Sequence, residues 1–304
     1  MTSRLRLLQL RPFGKSPLGA CLRVNAWLWS RLPESLTTVR WIRAYGAMLH
    51  ALARLQPRRQ SFGTFFLRNR AELELMRRLA DRFGDGTTMR IAVLACSIGA
   101  EPYSILSAIR SAQPDLKVLM HAVDVSEAAL EFAERGMYTL TPSAFHDPSI
   151  FQRLTECEIQ TMFDRVPGAL RIQSGLRQGI TWHRADAGDP QLREVLGLHD
   201  IVVANRFLCH MDPPDAERCL RNIATLIEPG GHLFVSGVDL DVRTKVAHDL
   251  GWKPHTELIE AIHDGDPSLR GPWPCRYTGL EPLDKARHDW RIRYASVFEV
   301  GERS

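Results

Sequence analysis

Residues 90–109 constrain the fold of this chain more than any other stretch. They begin with the apolar run 91–95, pass through a turn of small residues, and continue with Glu101 and Pro102 into a segment with helical spacing of apolar residues. A short continuous apolar run that ends at such a turn is typical of a strand buried on both faces. Proline is well tolerated in the first turn of a helix. The stretch therefore predicts the first strand–turn–helix unit of a doubly wound α/β sheet, where nucleotide-like ligands bind.

The turn itself differs from the dinucleotide fingerprint G-x-G-x-x-G, in which bare backbone approaches a pyrophosphate. Gly99 is the only glycine of this turn, and Glu101 puts a negative charge where a phosphate would lie. A ligand with a ribose and a cation but no phosphate fits better. S-adenosylmethionine, which carries a sulfonium and an ammonium group, is such a ligand. An ordinary turn that binds nothing is the alternative.

Polar residues end the neighbouring predicted strands. Asp124 ends the second strand, where a carboxylate can accept hydrogen bonds from both hydroxyls of a ribose; its alternative role is to cap the next helix. Asp186 ends a later segment, at a position where a side chain can accept from the exocyclic amine of adenine. Asn205 and Arg206 follow another buried strand. Because parallel strands end at one edge of the sheet, we expect these residues to line one crevice.

The N-terminal part of the chain is predicted to be helical over residues 20–32 and 37–55. Apolar residues recur there at helical spacing. Three tryptophans, Trp27, Trp29 and Trp41, lie in these segments. We expect them to pack between helices rather than to form a ligand cage.

The long segment 240–290 separates the central strands from a last one. Residues 292–300 alternate between apolar and polar side chains, which predicts an antiparallel strand. The segment 240–290 mixes aromatic residues with acids and histidines. Such a mixture suits a substrate lid over a small polar or cationic group. A structural flap that covers the edge of the sheet is the alternative.

The charge is distributed unevenly along the chain. Residues 1–70 contain 13 Lys or Arg and a single acid, Glu34, whereas the remainder contains 26 basic and 34 acidic residues. This basic segment predicts contact with an anionic partner, such as a membrane surface or an acidic protein. Packing against the acidic remainder of the same chain is the alternative. We find no strong signal for nucleic-acid binding.

The cysteines and the hydropathy limit the compartment. Six cysteines are scattered without a C-x-x-C pair, which argues against a metal site or a disulfide framework and for a reducing compartment. No apolar run approaches the ~18 residues that suggest a membrane span. The N-terminus lacks the pattern of a secretory signal. We therefore expect a cytoplasmic protein without a transmembrane segment.

Several motifs together identify a family that the chain resembles. In this chain they read TFFLR at 64–68, GAEPYS at 99–104, GMYTL at 136–140, ANRFLCHMD at 204–212 and IEPGGHLF at 227–234. The corresponding family patterns are T-x-F-F/L-R, G-E-E-P-Y-S, G-x-Y-x-L, C-R-N-V-L-I-Y-F-D and L-x-P-G-G-x-L-F. As a set they resemble the CheR-type chemoreceptor methyltransferases, which methylate protein glutamates with S-adenosylmethionine. The resemblance covers about residues 60–240. It implies a class I, Rossmann-like methyltransferase sheet. The spacing of residues adds the antiparallel last strand and the N-terminal helices, which do not resemble the usual family domain. We place a basic helical region at 1–84 and the S-adenosylmethionine-binding methyltransferase domain at 85–304.

The resemblance also implies a role for each matched position. The residues implied to bind the cofactor are Ala95, Ser97, Gly99 and Glu101 around its methionine part, Asp124 at its ribose, Asp186 near its adenine, and Asn205. Arg68 would lie near the methyl group and the acceptor. Two departures concern the acceptor. Asn205-Arg206 reverses the family's Arg-Asn pair, and His210 replaces a tyrosine that lies near the methyl group in the family.

These departures decide which acceptors are considered. A carboxylate acceptor needs no base, and Arg68 or Arg206 could orient it bidentately. A hydroxyl or amine acceptor must lose a proton, and His210 has a suitable intrinsic pKa. We predict an S-adenosylmethionine-dependent methyltransferase that acts on a small molecule. The alternatives are CheR-like methylation of receptor glutamates and a non-catalytic module that binds the cofactor.

Overall fold

The structure, a computed structural model, describes residues 17–37, 39–58, 63–84, 86–269 and 271–301. The chain divides into two compact units. Unit 1 comprises Met1–Arg59 and Asp266–Leu283, and unit 2 comprises Gln60–Gly265 and Asp284–Ser304. Among the described residues, no helix combines the length and the apolar character needed to cross a bilayer.

Unit 2 is built on a mostly parallel sheet. Its strands, with those of a smaller second sheet, are β1 (Thr88–Leu94), β2 (Lys117–Asp124), β3 (Met137–Thr139), β4 (Phe163–Val166), β5 (Ala169–Ile172), β6 (Ile180–Arg184), β7 (His199–Asn205), β8 (Ile227–Ser236), β9 (Lys253–Pro254) and β10 (Val297–Glu299). In the described ranges the large sheet has the order β6-β2-β1-β7-β8-β10-β9. The first five of these strands are parallel, and β10 runs antiparallel to both of its neighbours. This order confirms the predicted doubly wound sheet with an antiparallel last strand.

Helices cover both faces of this sheet. The α-helices of the chain are α1 (Pro17–Trp29), α2 (Glu34–Thr37), α3 (Arg40–Ala53), α4 (Arg70–Ala80), α5 (Ala100–Ala112), α6 (Glu127–Arg135), α7 (Glu156–Met162), α8 (Ser174–Arg177), α9 (Leu192–Leu196), α10 (Pro213–Ile223), α11 (Leu240–Asp249), α12 (Ile259–His263) and α13 (Trp290–Tyr294). Strand β1 shows why two layers are needed. Ile91 and Val93 belong to one apolar core, and the alternate residues Ala92 and Leu94 belong to the other. Because successive side chains point to opposite faces, the apolar run buries both.

The small antiparallel sheet β3-β5-β4 lies within unit 2. It carries an aromatic cluster in which Tyr138 and Phe163 contact the ring of Phe66, at centroid distances of 5.1 and 5.0 Å. Phe66 belongs to the segment 64–68 and is fully buried. The cluster therefore anchors the backbone that leads into helix α4.

The division into units differs from the predicted boundary at residue 84. Helix α4 belongs to unit 2 because its apolar face, with Leu75, Met76 and Leu79, is part of the core beneath the large sheet. The break in the chain's contacts comes earlier, at Arg59, where the basic segment meets the segment 64–68. Sequence composition changes gradually across 60–84, so it does not locate this break.

The predicted strand 292–300 is wrong over its first half. Residues Trp290–Tyr294 form helix α13, and only Val297–Glu299 pairs with β8. Tyr294 is fully buried and its ring lies 5.1 Å from that of His263. Trp290 and Tyr294 are four residues apart, so one helical turn puts both on one face. The apolar residues of this stretch therefore fit helical spacing as well as the alternation of a strand.

The segment 240–290 is not one element. Its first part contains helix α11, and strand β9 extends the large sheet at the edge beyond β10. Trp252 is buried in the core, with its ring 5.6 Å from that of Phe298. Residues 240–265 therefore extend the large sheet and pack against its core at this edge. This agrees with the alternative of a structural flap. The lid stays a prediction for the part assigned to unit 1.

Unit 1 combines helices α1 to α3 with residues 266–283. Trp29 and Trp273 meet edge to face at 5.1 Å between centroids. Gly46 of α3 faces this pair, and a Cβ there would lie 2.4 Å from the Trp273 ring. Trp29 thus packs as predicted, whereas Trp27 and Trp41 are exposed, which corrects the expectation that all three pack.

Candidate functional site

A cavity of about 220 Å³ opens in unit 2 beside the carboxyl ends of the central strands. Doubly wound sheets bind their ligands at this edge. The predicted site residues that line it are Arg68, Ala95, Ser97, Glu101, Asp124, Asp186, Asn205, Arg206 and His210. Gly99 is the one predicted residue outside the lining. The fold therefore brings together residues from five separate stretches of the chain.

The turn after β1 is held in an unusual backbone conformation. Ala95 and Ser97 have φ of 54° and 50°, in the left-handed region that side chains rarely adopt, and Gly99 has φ of 86°. Backbone strain of this kind concentrates at functional sites. A Cβ on Gly99 would lie 2.9 Å from that of Ala133 and 3.1 Å from the Trp182 ring. Gly99 therefore supports the site by allowing close packing and not by lining the cavity.

Asp124 presents a fixed carboxylate to the cavity. Its Oδ2 accepts from the Ser97 backbone N–H at 2.8 Å, and its Oδ1 accepts from the Ser126 backbone N–H at 2.9 Å. Helix α6 is capped instead by the Ser126 side chain, which accepts from the Ala129 N–H. Each carboxylate oxygen has a further lone pair for a ligand. The arrangement therefore fits a ribose better than the alternative role of helix cap.

Asn205 joins the buried carboxylate of Glu72 and the partly buried carboxylate of Glu101 at another side of the cavity. Its Nδ2 donates to Glu101 Oε1 at 2.8 Å and to Glu72 Oε1 at 2.5 Å. Burial raises the pKa of Glu101, while the Asn205 hydrogen bond and the charge of Arg68 act in the opposite direction. The Oδ1 of Asn205 is buried and has no partner in the described part of the chain. Two carboxylates and an open acceptor fit a cationic hydrogen-bond donor such as an ammonium group.

Glu72 is not among the residues predicted for the site, yet it is buried and accepts a hydrogen bond from Asn205. The missed signal is helical spacing, since positions 72, 75, 76 and 79 share one face and the last three are core residues. A carboxylate on an otherwise apolar face is expensive to bury without a partner. The Glu72 carboxylate accepts a hydrogen bond from the Asn205 amide.

Two arginines and a histidine line the same cavity. Arg206 has φ of 68°, and its Nη1 is buried without a hydrogen-bond partner among the described residues. Gly237 allows this conformation, because a Cβ there would lie 2.7 Å from the Arg206 Cα. Arg68 donates from Nη2 to the Gly63 carbonyl at 2.9 Å. His210 ends a 3-10 turn that begins at Leu208.

The family model "CheR methyltransferase, SAM binding domain" matches residues 63–245. The chain belongs to the CheR methyltransferase family. The match includes every residue of the cavity named above, and it excludes residues 1–62. The family's domain binds S-adenosylmethionine, which confirms the predicted cofactor class.

Individual relatives match a similar region. "Probable biofilm formation methyltransferase WspC" of Pseudomonas putida is 28% identical over 160 residues, which is 52% of this chain and 36% of that protein. "Chemotaxis protein methyltransferase 2" of Vibrio cholerae is 23% identical over 180 residues, which is 57% of this chain and 60% of that protein. The CheR-family chain thus matches from about a third to three fifths of the length of these relatives.

Among solved structures, magnesium protoporphyrin IX methyltransferase (ChlM) from Synechocystis with bound SAM is similar at 15% identity. The TM-score is 0.36, over 61% of this chain and 71% of that one. The fold assignment rests on the strand order and not on this likeness.

The residues of this CheR-family cavity fit S-adenosylmethionine. Asp124 offers one carboxylate to two ribose hydroxyls, and Glu101 with Asn205 offers acceptors to an ammonium group. Asp186 lines the cavity while its Oδ1 accepts from the Gly188 N–H at 2.8 Å. The strained turn at Ala95 gives backbone groups close access to a ligand. A cavity lined by carboxylates and backbone groups thus suits a ligand that carries no phosphate.

Proposed function

We propose that this protein transfers the methyl group of S-adenosylmethionine to a carboxylate of a protein, in the way that CheR-type enzymes methylate receptor glutamates. The observation that carries the proposal is Arg206, which lines the cofactor cavity with a buried Nη1 that has no partner among the described residues. A buried guanidinium N–H without an acceptor is costly. A carboxylate acceptor supplies the missing partner.

The residues of the chain would act by binding and orientation. The bound cofactor supplies a methyl group on a sulfonium, which is transferred by in-line displacement. Asp124 fixes the ribose, while Glu101, held through Asn205, fixes the methionine ammonium. Holding a donor and an acceptor in line replaces an encounter between free molecules and accounts for much of the acceleration.

The acceptor would be oriented by arginine. A glutamate side chain is ionised at neutral pH, so it attacks without the help of a base. Arg206 can bind such a carboxylate through two parallel N–H donors, and Arg68 lines the same cavity. His210 has no proton to remove in this reaction. We therefore assign it to shaping the acceptor side of the cavity.

A small-molecule acceptor, which is the acceptor predicted from the sequence, requires different chemistry. A hydroxyl or amine must lose a proton, and His210 would be the base. The relatives named above favour the protein carboxylate, since one of them is a chemotaxis protein methyltransferase by name. A module that only binds the cofactor is the remaining alternative.

The test is transfer of a tritiated methyl group from S-adenosylmethionine to membranes of the source organism. Carboxyl methyl esters release methanol in alkali, whereas methyl groups on nitrogen or on ether oxygens do not. We expect alkali-labile label, a loss of roughly 100-fold in rate for Arg206→Ala, and a change within roughly threefold for His210→Gln.

Other results would change the assignment. Alkali-stable label that His210→Gln abolishes would indicate a hydroxyl or amine acceptor. Tight binding of the cofactor without label in any fraction would indicate a binding module. In both cases the carboxylate proposal would be withdrawn.

A further inference from the structure

Helix α3 of unit 1 carries two neighbouring apolar stripes. The buried stripe consists of Ile42, Gly46, Leu49 and Ala53. The second stripe also repeats at three- and four-residue intervals and continues into the turn after the helix; it consists of Trp41, Tyr45, Met48, Leu52 and Leu55. Leu52 is half-buried and the other four side chains are exposed. We call the second set the exposed stripe.

Exposed apolar side chains are concentrated in the part of the sequence that contains the exposed stripe. Trp41 is 72% exposed and Met48 is 51% exposed. On helix α1, Trp27 is 55% exposed, with Val24 and Leu28 beside it at helical spacing. Eight of the fourteen large apolar side chains that are exposed in the described residues lie between positions 24 and 55. Single exposed apolar residues are ordinary, but a cluster of this kind marks an interaction surface.

Unit 1 carries more positive than negative charge. Its residues 17–58 contain six arginines and one acid, Glu34, and its segment 266–283 adds two arginines and two acids, Asp266 and Glu281. The guanidinium of Arg31 lies 3.8 Å above the Trp27 ring and donates to the Trp27 carbonyl at 3.0 Å. The hydroxyl of Tyr45 donates to Asn25 Oδ1 at 2.6 Å, which keeps its polar end satisfied beside apolar neighbours. Tryptophan, tyrosine and arginine are the residues that settle at the boundary between water and lipid.

We propose that the exposed stripe of α3 binds unit 1 to an anionic lipid surface. The 14 residues of α3 give an apolar line of about 21 Å, long enough to lie flat at a bilayer interface, and the exposed Arg40 stands next to Trp41 at the start of that line. Protein partners concentrate their binding energy in a few pockets filled by large side chains. A stripe that runs along the length of a helix suits lipid better. The surface lies outside the matched family domain, so it adds a property to that domain.

The experiment is co-sedimentation of the full chain with vesicles. One set contains phosphatidylglycerol and phosphatidylcholine in equal parts, and the other contains phosphatidylcholine alone. We expect binding to the first set only, a blue shift of tryptophan emission, and weaker binding at high salt. The double substitution Trp41→Glu with Met48→Glu should weaken this binding by at least roughly tenfold.

Val195→Glu is the matched control, because Val195 is an exposed apolar residue on helix α9 of unit 2. It should bind vesicles as the unaltered chain does. All variants should keep their thermal unfolding midpoint and their affinity for S-adenosylmethionine. Anionic vesicles that fail to bind the unaltered chain would overturn the proposal, as would a double variant that binds like the control. Binding of poly-glutamate in place of vesicles would identify an acidic protein as the partner and would also overturn it.

Discussion

The substitution Asp124→Asn tests the cofactor site with little change in shape. Each oxygen of the Asp124 carboxylate accepts one backbone N–H, from Ser97 at 2.8 Å and from Ser126 at 2.9 Å. Asparagine has one oxygen, so its amide NH₂ must face one of these two donors. Hydrogen bonds to charged groups contribute about 1.5–3 kcal/mol each. We expect a loss of about 2 kcal/mol in the free energy of unfolding.

The same substitution removes one of the two acceptors that a ribose would use. The loss of one charge-assisted hydrogen bond, again about 1.5–3 kcal/mol, weakens binding by roughly 10- to 100-fold. Isothermal titration calorimetry with S-adenosylmethionine measures this affinity, and urea unfolding measures the stability. Asp115→Asn is the control, because Asp115 is exposed and does not line the cavity. Affinity within about twofold of the unaltered chain, with normal stability, would refute the assignment of Asp124 to the ribose.

Three further predictions concern the packing and charge around the site. Glu72→Gln should weaken binding of the cofactor by roughly tenfold in calorimetry, because it removes a buried carboxylate beside Asn205, whereas Glu74→Gln, at a half-buried carboxylate that pairs with Arg77 and Arg78 away from the cavity, should not. Gly99→Ala should cost about 3 kcal/mol in urea unfolding, since φ there is 86° and its Cβ would collide; Gly84→Ala, with open space around it, should cost less than about 1 kcal/mol. Burial and neighbouring His121 lower the pKa of His199 from 6.5 to about 4. The unfolded ring gains its proton first on acidification, so this group should lower stability by about 3 kcal/mol as the pH falls between these values. His199→Gln should remove that share of the fall, while His232, whose pKa is also lowered to about 4, keeps its own; an unchanged profile would refute this assignment.

The central part of the fold follows from local signals in the sequence. The run 91–95 and the turn with Glu101 and Pro102 predict strand β1 and helix α5, because a parallel strand covered on both faces must be continuously apolar. The strand-end positions of Asp124 and Asn205 follow from the same reasoning. These predictions rest on the pattern of apolar residues and on where each apolar run ends, and both can be identified in a single sequence.

Other parts depend on packing that the sequence does not display. Glu72 is buried because Asn205 reaches it from strand β7, more than a hundred residues away. In helix α13, Trp290 packs against one apolar core and the buried Tyr294 contacts the His263 ring, although an alternating pattern favours a strand equally well. The segment 240–290 divides between two units, and apolar, aromatic and acidic residues occur on both sides of the division. In each case a tertiary contact decides between local structures of similar stability.

The surface proposed to bind lipid lies in a different part of the chain from the cofactor cavity. The cavity residues all lie within 63–245, and the exposed stripe lies before that range. A chain that binds an anionic lipid surface through unit 1 would hold its methyl-transfer site close to proteins embedded in that membrane. Different variants test the two proposals, so a negative result for one does not decide the other.

The most direct test of the central claim is a crystal structure of the protein with S-adenosylhomocysteine at saturating concentration. We predict the two ribose hydroxyls on the carboxylate of Asp124, the ammonium group beside Glu101 and Asn205, and the sulfur on the side of the cavity that Arg206 lines. A ligand bound elsewhere, or a sulfur directed away from Arg206, would contradict the proposal that this cavity transfers methyl groups to a carboxylate.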